Sequence, residues 1–379
     1  MTPKNQAAIL PSPKAPALTI SSAPYSPPSS GEVVIRAHAV AINPADCGIQ
    51  RLGILIPEEG GYPCVLGCDV AGEVVELPPG GETDERIAHL KVGDRVIGQT
   101  SPLRSKDSKD LDLSEDDDLE QWRGKKVYAY SSFQKYVVLL FPFVAKIPDT
   151  MTYEDAVVLP LGVNTASSCL FPEVMLGLDM PPAKGGAEKK GKTLIVWGAS
   201  SSVGSCGVQL AVQAGYTVVG ICSQRNHQFV KSLGAEECFD QSDPNIVESV
   251  VSYLKREGQE IVGAYDAISK PPTLQPLCDI LHGCGSTGRN FIASVFPGAD
   301  QYAKNDVSIV TNLSAVSSDD FTTNLATKVY QWLETALEDH RMQCMPAPEV
   351  MGKGLESVQA AMDKLASGTV SGRKLVVTL

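Results

Sequence analysis

The sequence predicts an α/β protein with two parts, a β-rich, barrel-like domain and a doubly wound parallel sheet. The chain has 379 residues, which is long for a single domain. Up to about residue 160, short strand patterns alternate with turn residues, whereas beyond it strands alternate with helices. A buried strand, a glycine turn and a helix follow one another directly between Lys192 and Gly215. Together these observations place a domain boundary near residue 160.

Short strands separated by turns fill the first part of the chain. Seven prolines before residue 30 indicate an extended beginning with short edge strands. Asn43-Pro44 favours a turn after the first long strand, because proline restricts the residue before it. Further strands are expected over 31–42, 62–76, 91–98, 126–130 and 134–147, and a helix begins within 152–162.

An acidic segment interrupts these strands. Between Ser105 and Glu120 there are eight acids and two lysines, which account for half of the net charge of −12. So dense a charge run predicts a solvated insertion, and a partner-docking role is the alternative.

The stretch from Thr193 to Gly204 has the features of a phosphate-binding turn. Thr193 to Trp197 is a β-branched and aromatic run, typical of a strand buried on both faces of a parallel sheet. Gly198 permits a tight turn, and the hydroxyls of Ser200, Ser201 and Ser202 can cap the helix that begins with Val203 and Gly204. The free N–H groups of that first helical turn favour a diphosphate. An ordinary strand–turn–helix connection without a ligand is the alternative.

Strands and helices alternate through the rest of the chain. Strands are expected over 216–222, 237–239, 264–268, 291–295, 307–316 and 373–379, and helices over 228–233, 245–257, 322–339 and 354–366. The strand 216–222 directly after the glycine-turn helix completes a β-α-β unit.

The end of that second strand predicts the cofactor. A site for NAD places an acid there to bind the ribose 2′-hydroxyl, but no Asp or Glu occurs between Gly215 and Ala235. The strand end instead reads Ser223, Gln224, Arg225 and Asn226. Hydroxyl and amide groups can donate to a 2′-phosphate, and the guanidinium can pair with it. The predicted cofactor is therefore NADPH.

Composition excludes several classes of protein. The net negative charge argues against nucleic-acid and anionic membrane partners, and no stretch is long and apolar enough to span a bilayer. The beginning of the chain lacks a secretory signal, which predicts a cytoplasmic protein. Ten cysteines lie mostly singly in apolar runs, so we expect buried thiols and no disulfides. Cys64-x-x-x-Cys68 has no histidine nearby, which favours buried thiols over a metal pair.

Blocks along nearly the whole chain resemble the medium-chain dehydrogenase/reductase superfamily. These blocks are Gly31 to Asp46, Pro63 to Glu76, Gly93-Asp-Arg-Val, Leu159-Pro-Leu-Gly and Ser232-Leu-Gly-Ala-Glu. Within it the chain is most similar to zinc-independent fungal quinone-reductase-like and trans-acting enoyl reductases, also in ending Ser371-Gly-Arg-Lys-Leu-Val.

The resemblance implies an architecture and additional site residues. A GroES-like catalytic domain would span residues 1–160 and be completed by 325–379, and a Rossmann cofactor domain would span 161–324. It also places Asn43, Pro44, Asp46, Thr165, Val370 and Ser371 at the cofactor. Zinc alcohol dehydrogenases of this superfamily have cysteine where this chain has Asn43, and His-Glu where it has Cys68-Asp69. Cysteines of their structural zinc lobe are also missing from 99–125. We therefore expect no metal.

Three functions remain open at this stage. The first is NADPH-dependent reduction of a carbon–carbon double bond conjugated to a carbonyl, with a small-molecule substrate that a polyketide synthase carrier can hold. The second is oxidoreduction of a secondary alcohol, ketone or quinone, and the third is NADPH binding without turnover. No catalytic acid is identified, because Tyr128, Tyr130 and Cys47 are each more typical of packing residues. Monomer and homodimer both remain open.

Overall fold

The computed structural model describes residues 3–113, 117–285, 289–312 and 320–379. The chain divides into two units, one formed by Met1–Leu161 with Ala347–Leu379 and the other by Gly162–Pro346. Within the described residues, no helix has both the length and the apolar character needed to cross a membrane.

Strands dominate the first unit. They are β1 (Asn5–Leu10), β2 (Thr19–Ala23), β3 (Glu32–Ala41), β4 (Cys64–Val65), β5 (Asp69–Glu76), β6 (Arg95–Gln99), β7 (Lys106–Asp107), β8 (Lys126–Val127), β9 (Tyr136–Leu140), β10 (Val144–Lys146), and, late in the chain, β17 (Pro348–Lys353) and β18 (Lys374–Thr378). The main sheet has the order β10-β6-β5-β3-β18-β17, and β9 also pairs with β3. A second sheet has the order β2-β1-β4, and β7 pairs with β8.

Apolar side chains from these strands form the first core. Val33, Ile35, Val70, Val96 and Val137 are among its fully buried members. This unit also contains the helices α1 (Pro44–Leu52), α2 (Glu58–Gly61), α3 (Tyr153–Ala156) and α10 (Val358–Ala366). The expected turn at Asn43-Pro44 is the beginning of helix α1, because proline is well tolerated at the first helical position.

The second unit is built on a parallel sheet, of which six strands lie in the described residues. They are β11 (Lys192–Trp197), β12 (Thr217–Cys222), β13 (Glu237–Asp240), β14 (Glu260–Asp266), β15 (Phe291–Ser294) and β16 (Ser308–Thr311). Their order is β13-β12-β11-β14-β15-β16, with parallel pairing throughout. Strand order therefore reverses between β11 and β14, where ligands bind in open sheets of this kind.

Helices precede, connect and follow these strands. They are α4 (Pro160–Leu170), α5 (Ser202–Gln213), α6 (His227–Ser232), α7 (Ile246–Glu257), α8 (Pro271–Cys284) and α9 (Asp320–Glu338). Helix α8 was not expected, since it contains Pro271, Pro272 and Pro276, yet its apolar face is buried against the sheet. Residues 313–316 of the strand expected over 307–316 lie outside the described residues.

The chain returns to the first unit later than expected. The sequence predicted the return at residue 325, but helix α9 belongs to the second unit and the return occurs at Ala347. The physical reason is that Val329, Leu333 and Ala336 on the helix are fully buried. Beyond the helix, the backbone N–H of Gln343 donates to Gln209 Oε1 on α5 of the same unit.

The acidic segment is only partly solvated. Lys106 lies in β7 and its ammonium pairs with the buried Glu32 carboxylate at 2.9 Å. Ser108 and Leu113 are buried, and Leu113 packs in the first core. The expectation of a fully solvated insertion is therefore wrong for these residues, because an apolar side chain and an ion pair anchor the segment. Residues 114–116 of the segment lie outside the described part of the chain.

Candidate functional site

The glycine turn after β11 provides a backbone cradle for an anion. Gly198 has φ +73°, and Ser201 Oγ accepts from the backbone N–H of Gly204 at 3.0 Å, capping helix α5. A Cβ atom on Gly204 would lie 2.1 Å from the carbonyl oxygen of Gly198. Only glycine lets the turn and the helix approach this closely. The resulting helix N-terminus fits the diphosphate of a dinucleotide.

The three predicted capping serines have different positions. Ser201 is the N-cap, while Ser202 is the first helical residue and Val203 follows it in the first turn. Ser200 lies in the turn, and its Oγ accepts from Asn226 Nδ2 at 3.0 Å. This bond joins the glycine turn to the end of β12, so the structure brings these two predicted groups of site residues together.

A short turn follows β12 and carries the predicted 2′-phosphate residues. Gln224, Arg225 and Asn226 form one turn of 3-10 helix after Ser223. Arg225 is exposed, and within the described ranges it makes no ion pair. Ser223 Oγ accepts from Gln241 Nε2 at 3.3 Å. The turn thus presents one guanidinium at the carboxyl end of the sheet.

Asp240 reaches this turn from the neighbouring strand. It pairs with Cys222 across β12 and β13. Its carboxylate accepts from the backbone N–H groups of Ser242 and Gln224, and these bonds lower its pKa. The sequence prediction missed Asp240 because it considered only Gly215 to Ala235, whereas the sheet brings in an acid from the end of β13.

A hydrogen-bonded loop after β14 packs against the glycine turn. Asp266 is fully buried, which raises its pKa, and it accepts from the N–H groups of Ile268 and Ser269, both at 2.9 Å. Thr273 Oγ1 also donates to Asp266, at 2.5 Å. Ser269 has φ +57°. The Ile268 side chain packs against Gly198 so closely that a Cβ atom on Gly198 would lie 2.6 Å from Ile268 Cγ1. These contacts fix the loop at the point where strand order reverses.

Thr165 lies on helix α4 and is half-buried. Its carbonyl oxygen accepts from Asn312 Nδ2 at 3.3 Å, just beyond β16. This bond ties α4 to the end of the last strand of the sheet.

The first unit holds a buried polar cluster formed by Asn43, Asp46, Asp69 and Lys374. Lys374 Nζ lies 3.0 Å from Asp69 Oδ2 and 2.5 Å from Asn43 Oδ1. Asn43 Nδ2 donates to Asp69 Oδ2 at 2.8 Å, and the N–H of Leu161 donates to Asp69 Oδ1 at 2.7 Å. The sequence identified Asn43 and Asp46 but missed Lys374, which lies in the block Ser371 to Val376 that carried the resemblance.

Asp46 occupies one side of this cluster at the beginning of α1. Its Oδ2 accepts from the N–H of Asn43 at 2.8 Å, and its Oδ1 accepts from the N–H of Gly67 at 3.1 Å. Burial raises the pKa of Asp46 to about 7, an effect that Asp69 reinforces. Burial also raises the pKa of the Cys68 thiol, whose Sγ lies 3.7 Å from Asp46 Oδ1. The side chains of Asn43 and Asp46 are thus engaged with their own unit, while Pro44 between them is exposed.

Val370 and Ser371 lie in the connection between α10 and β18. Val370 is half-buried against the first core, and Ser371 is half-buried three residues before Lys374.

The three side chains considered as proton donors are all engaged internally. Tyr128 OH donates to the carbonyl oxygen of Gly61 at 2.8 Å, and Tyr130 OH donates to Glu32 at 2.5 Å. The Cys47 thiol donates to the carbonyl oxygen of Met362, and burial raises its pKa to about 12. None of the three is suited to giving up a proton near neutral pH.

The residues of the first unit do not fit a catalytic zinc. In the ranges that the structure describes, no three His, Cys, Asp or Glu side chains converge to hold a metal. At the positions where zinc alcohol dehydrogenases have ligands, this chain has the Asn43 amide, the Cys68 thiol and the Asp69 carboxylate. The amide accepts from the Lys374 ammonium, and the carboxylate is already paired with it. Zinc needs deprotonated, unpaired ligands.

Comparisons with known proteins agree with this architecture. Residues 29–149 match the alcohol dehydrogenase GroES-like domain. Dehydrogenase orf1 of Aspergillus niger is 35% identical over 100% of this chain and 99% of its own length. Trans-enoyl reductase himH of Aspergillus japonicus is 32% identical over 99% of this chain and 97% of its own length.

The fold is also similar to that of a solved enoyl reductase. CurK enoyl reductase superposes with a TM-score of 0.70 at 17% identity, covering 99% of both chains. At that identity the likeness shows the fold alone.

Proposed function

Because the chain belongs to the medium-chain dehydrogenase/reductase superfamily, we propose that it is an NADPH-dependent reductase of carbon–carbon double bonds conjugated to a carbonyl. The observation that carries the proposal is the glycine turn at Gly198–Gly204, joined through Ser200 and Asn226 to the turn that presents Arg225.

Each part of this turn has a role in binding NADPH. The N–H groups at the beginning of α5 donate to the diphosphate, supported by the helix dipole. Arg225 pairs with the 2′-phosphate, and its neighbours Ser223 and Gln224 add neutral donors. The Asp266-bonded loop keeps Ile268 against Gly198 and so fixes the shape of the turn.

The chemistry that NADPH supplies is hydride transfer to an acceptor already polarised by a carbonyl, which requires no metal. A metal-free reaction is consistent with the ion pair between Lys374 and Asp69, because that carboxylate is already paired with an ammonium. With Tyr128, Tyr130 and Cys47 engaged internally, we assign protonation of the α-carbon to solvent. In the same proposal, Asn43, Pro44, Asp46, Thr165, Val370 and Ser371 help to hold the nicotinamide half of the cofactor.

The relatives named trans-enoyl reductases support an unsaturated acyl thioester as the substrate. We therefore propose that the substrate is a 2-enoyl chain held on a carrier of a polyketide synthase. A small thioester should be a poorer substrate than the carrier-bound chain, because the carrier adds contacts that raise the effective concentration of the alkene.

A substrate panel tests this function. The purified protein is mixed with NADPH and, separately, a 2-enoyl thioester, a quinone or a saturated ketone, and with NADP⁺ and a secondary alcohol. Of these acceptors, we expect only the 2-enoyl thioester to cause oxidation of NADPH, and its product should be the saturated thioester, identified by its mass. Preferred turnover of the ketone, alcohol or quinone would identify the protein as the corresponding oxidoreductase. Tight NADPH binding with no turnover on any acceptor would identify a non-catalytic binding protein.

A further inference from the structure

We propose that the Lys374 ammonium is a built-in cation of the first unit, which takes the place of a metal ion and fixes the side chains of Asn43 and Asp69. Lys374 is a positioning residue in this proposal, since it acts through the two side chains that it contacts. The inference concerns the first unit alone and does not depend on the substrate.

Burial is the first observation that carries the proposal. Lysine is almost never fully buried unless it is paired. Here Lys374 is 4% exposed and Asp69 is fully buried, with 3.0 Å between ammonium nitrogen and carboxylate oxygen. Two charges removed from water in this way are retained only with close geometry and further hydrogen bonds. Asn43 and the N–H of Leu161 supply those bonds.

The pattern of donors and acceptors is the second observation. Lys374 can only donate and ionised Asp69 can only accept. The amide of Asn43 lies between them, with its oxygen toward Lys374 and its nitrogen toward Asp69. The two charged neighbours therefore determine which way the amide points. Asn43 in turn precedes Pro44 at the beginning of α1, so the ammonium holds a side chain next to the first turn of that helix.

The separation along the chain is the third observation. Asn43 and Lys374 are 331 residues apart in the chain. Asn43 follows the end of β3, Lys374 begins β18, and these two strands pair in the main sheet. A single ammonium thus joins two distant segments, as a metal shared by ligands from two segments would.

The test compares Lys374→Met with a matched control. In the same unit Lys146 lies 3.0 Å from Asp94, but its side chain is 35% exposed. We expect Lys374→Met to lower the melting temperature by about 10 °C, because it leaves Asp69 buried without its cation. Lys146→Met should lower it by roughly 3 °C or less, since the Lys146 ammonium is partly in water and Asp94 keeps a hydrogen bond from the N–H of Lys91. Equal losses in the two variants would overturn the proposal.

A double variant separates the ion pair from packing. Lys374→Met with Asp69→Asn removes both charges, so it should recover at least about half of the loss in melting temperature seen with Lys374→Met. If Lys374→Met does not fold, folding of the double variant gives the same answer. A double variant less stable than both single variants would show that Lys374 serves packing and not charge.

The pH dependence provides a readout that packing would not change. Lys374 lowers the pKa of the buried Asp46, so Lys374→Met should leave that carboxylate less stable when charged, and the gap in melting temperature between wild type and Lys374→Met should narrow from pH 8 to pH 5.5. Cys68 also faces Asp69, but burial raises the pKa of its thiol, which stays protonated over this pH range in both proteins. A constant gap would contradict the proposal. So would stoichiometric zinc in wild type that Cys68→Ser removes.

Discussion

A Cβ atom on Gly204 would lie 2.1 Å from the carbonyl oxygen of Gly198, a distance at which no side chain can be accommodated without moving the backbone. Gly204→Ala should therefore displace the turn and weaken NADPH binding by about tenfold or more, equivalent to about 1.4 kcal/mol. Titration of NADPH by fluorescence measures the effect.

Gly186 provides the control for this substitution, since a Cβ there meets nothing within 4 Å. Gly186→Ala should bind NADPH like wild type. Unchanged affinity in Gly204→Ala would mean that the diphosphate binds elsewhere.

Arg225 should distinguish the two nicotinamide cofactors. Arg225→Ala removes the guanidinium and should cost on the order of 1.5–3 kcal/mol of NADPH binding, or about one to two decades in affinity. NADH lacks the 2′-phosphate and should bind nearly as before. Both cofactors are titrated into both proteins by calorimetry.

Two further variants refine that result. Arg256→Ala is the control, because Arg256 is exposed on α7 and pairs with Glu257 at 3.1 Å. Asp240→Asn should strengthen NADPH binding, since it removes a negative charge beside the Gln224 turn. Equal weakening of NADPH and NADH by Arg225→Ala, or a wild-type preference for NADH, would overturn the cofactor assignment.

Asp46 should make stability depend on pH. Its folded pKa of about 7 lies above the ordinary value of 3.8, so the buried carboxylate destabilises the fold when it is charged. Stability should rise on the order of 2 kcal/mol as pH falls from 8 to about 5. The unfolding free energy from urea titrations at several pH values measures this.

The comparison with Asp46→Asn isolates this contribution. The variant loses an acceptor for the N–H of Gly67 and should be less stable, but its stability should vary less between pH 8 and pH 5. His38 acts in the opposite sense, because burial lowers its pKa and its protonation in acid is unfavourable. It is present in both proteins. Parallel pH curves would show that Asp46 does not titrate in this range.

Replacing residues 105–120 with a Gly-Ser linker should destabilise the first unit. The change removes the buried Leu113 side chain and the Lys106 partner of Glu32, which together should cost at least about 2 kcal/mol. Thermal unfolding measures it. Asp107→Asn and Asp110→Asn alter exposed acids of the same segment and should change stability by less than about 0.5 kcal/mol. An unchanged melting temperature for the linker variant would support a fully solvated segment.

Local signals in the sequence predicted the glycine turn, because Gly198, Ser201 and Gly204 act on one another within seven residues. Strand β12 and the turn after it were also predicted from residues that are adjacent in the sequence. Helix α8 was not predicted, although Leu274, Leu277, Cys278 and Leu281 have helical spacing and Pro271 suits the first turn. Its interior proline, Pro276, weakens that local signal, and burial of the apolar face against the sheet stabilises the helix.

Contacts between distant segments could not be predicted in this way. Asp240 reaches the β12 turn only because β13 pairs with β12, and Lys374 reaches Asn43 only because β18 pairs with β3. Both are charged residues whose partners are set by strand order. Leu113 shows the same limit, since a single apolar residue within a charged run carries no periodicity.

The pairing of β18 with β3 also affects how the chain folds during synthesis. At 5–20 residues per second, the ribosome needs roughly 20–60 s to add the residues that separate Asn43 from Lys374. The second unit is continuous in sequence and is complete before then. Until β18 emerges, Ala39 to Ala41 present an open strand edge to other chains, and Asp69 has not yet formed its ion pair with Lys374. A nascent chain stalled before residue 374 should therefore bind chaperones through the first unit, although that unit was translated first.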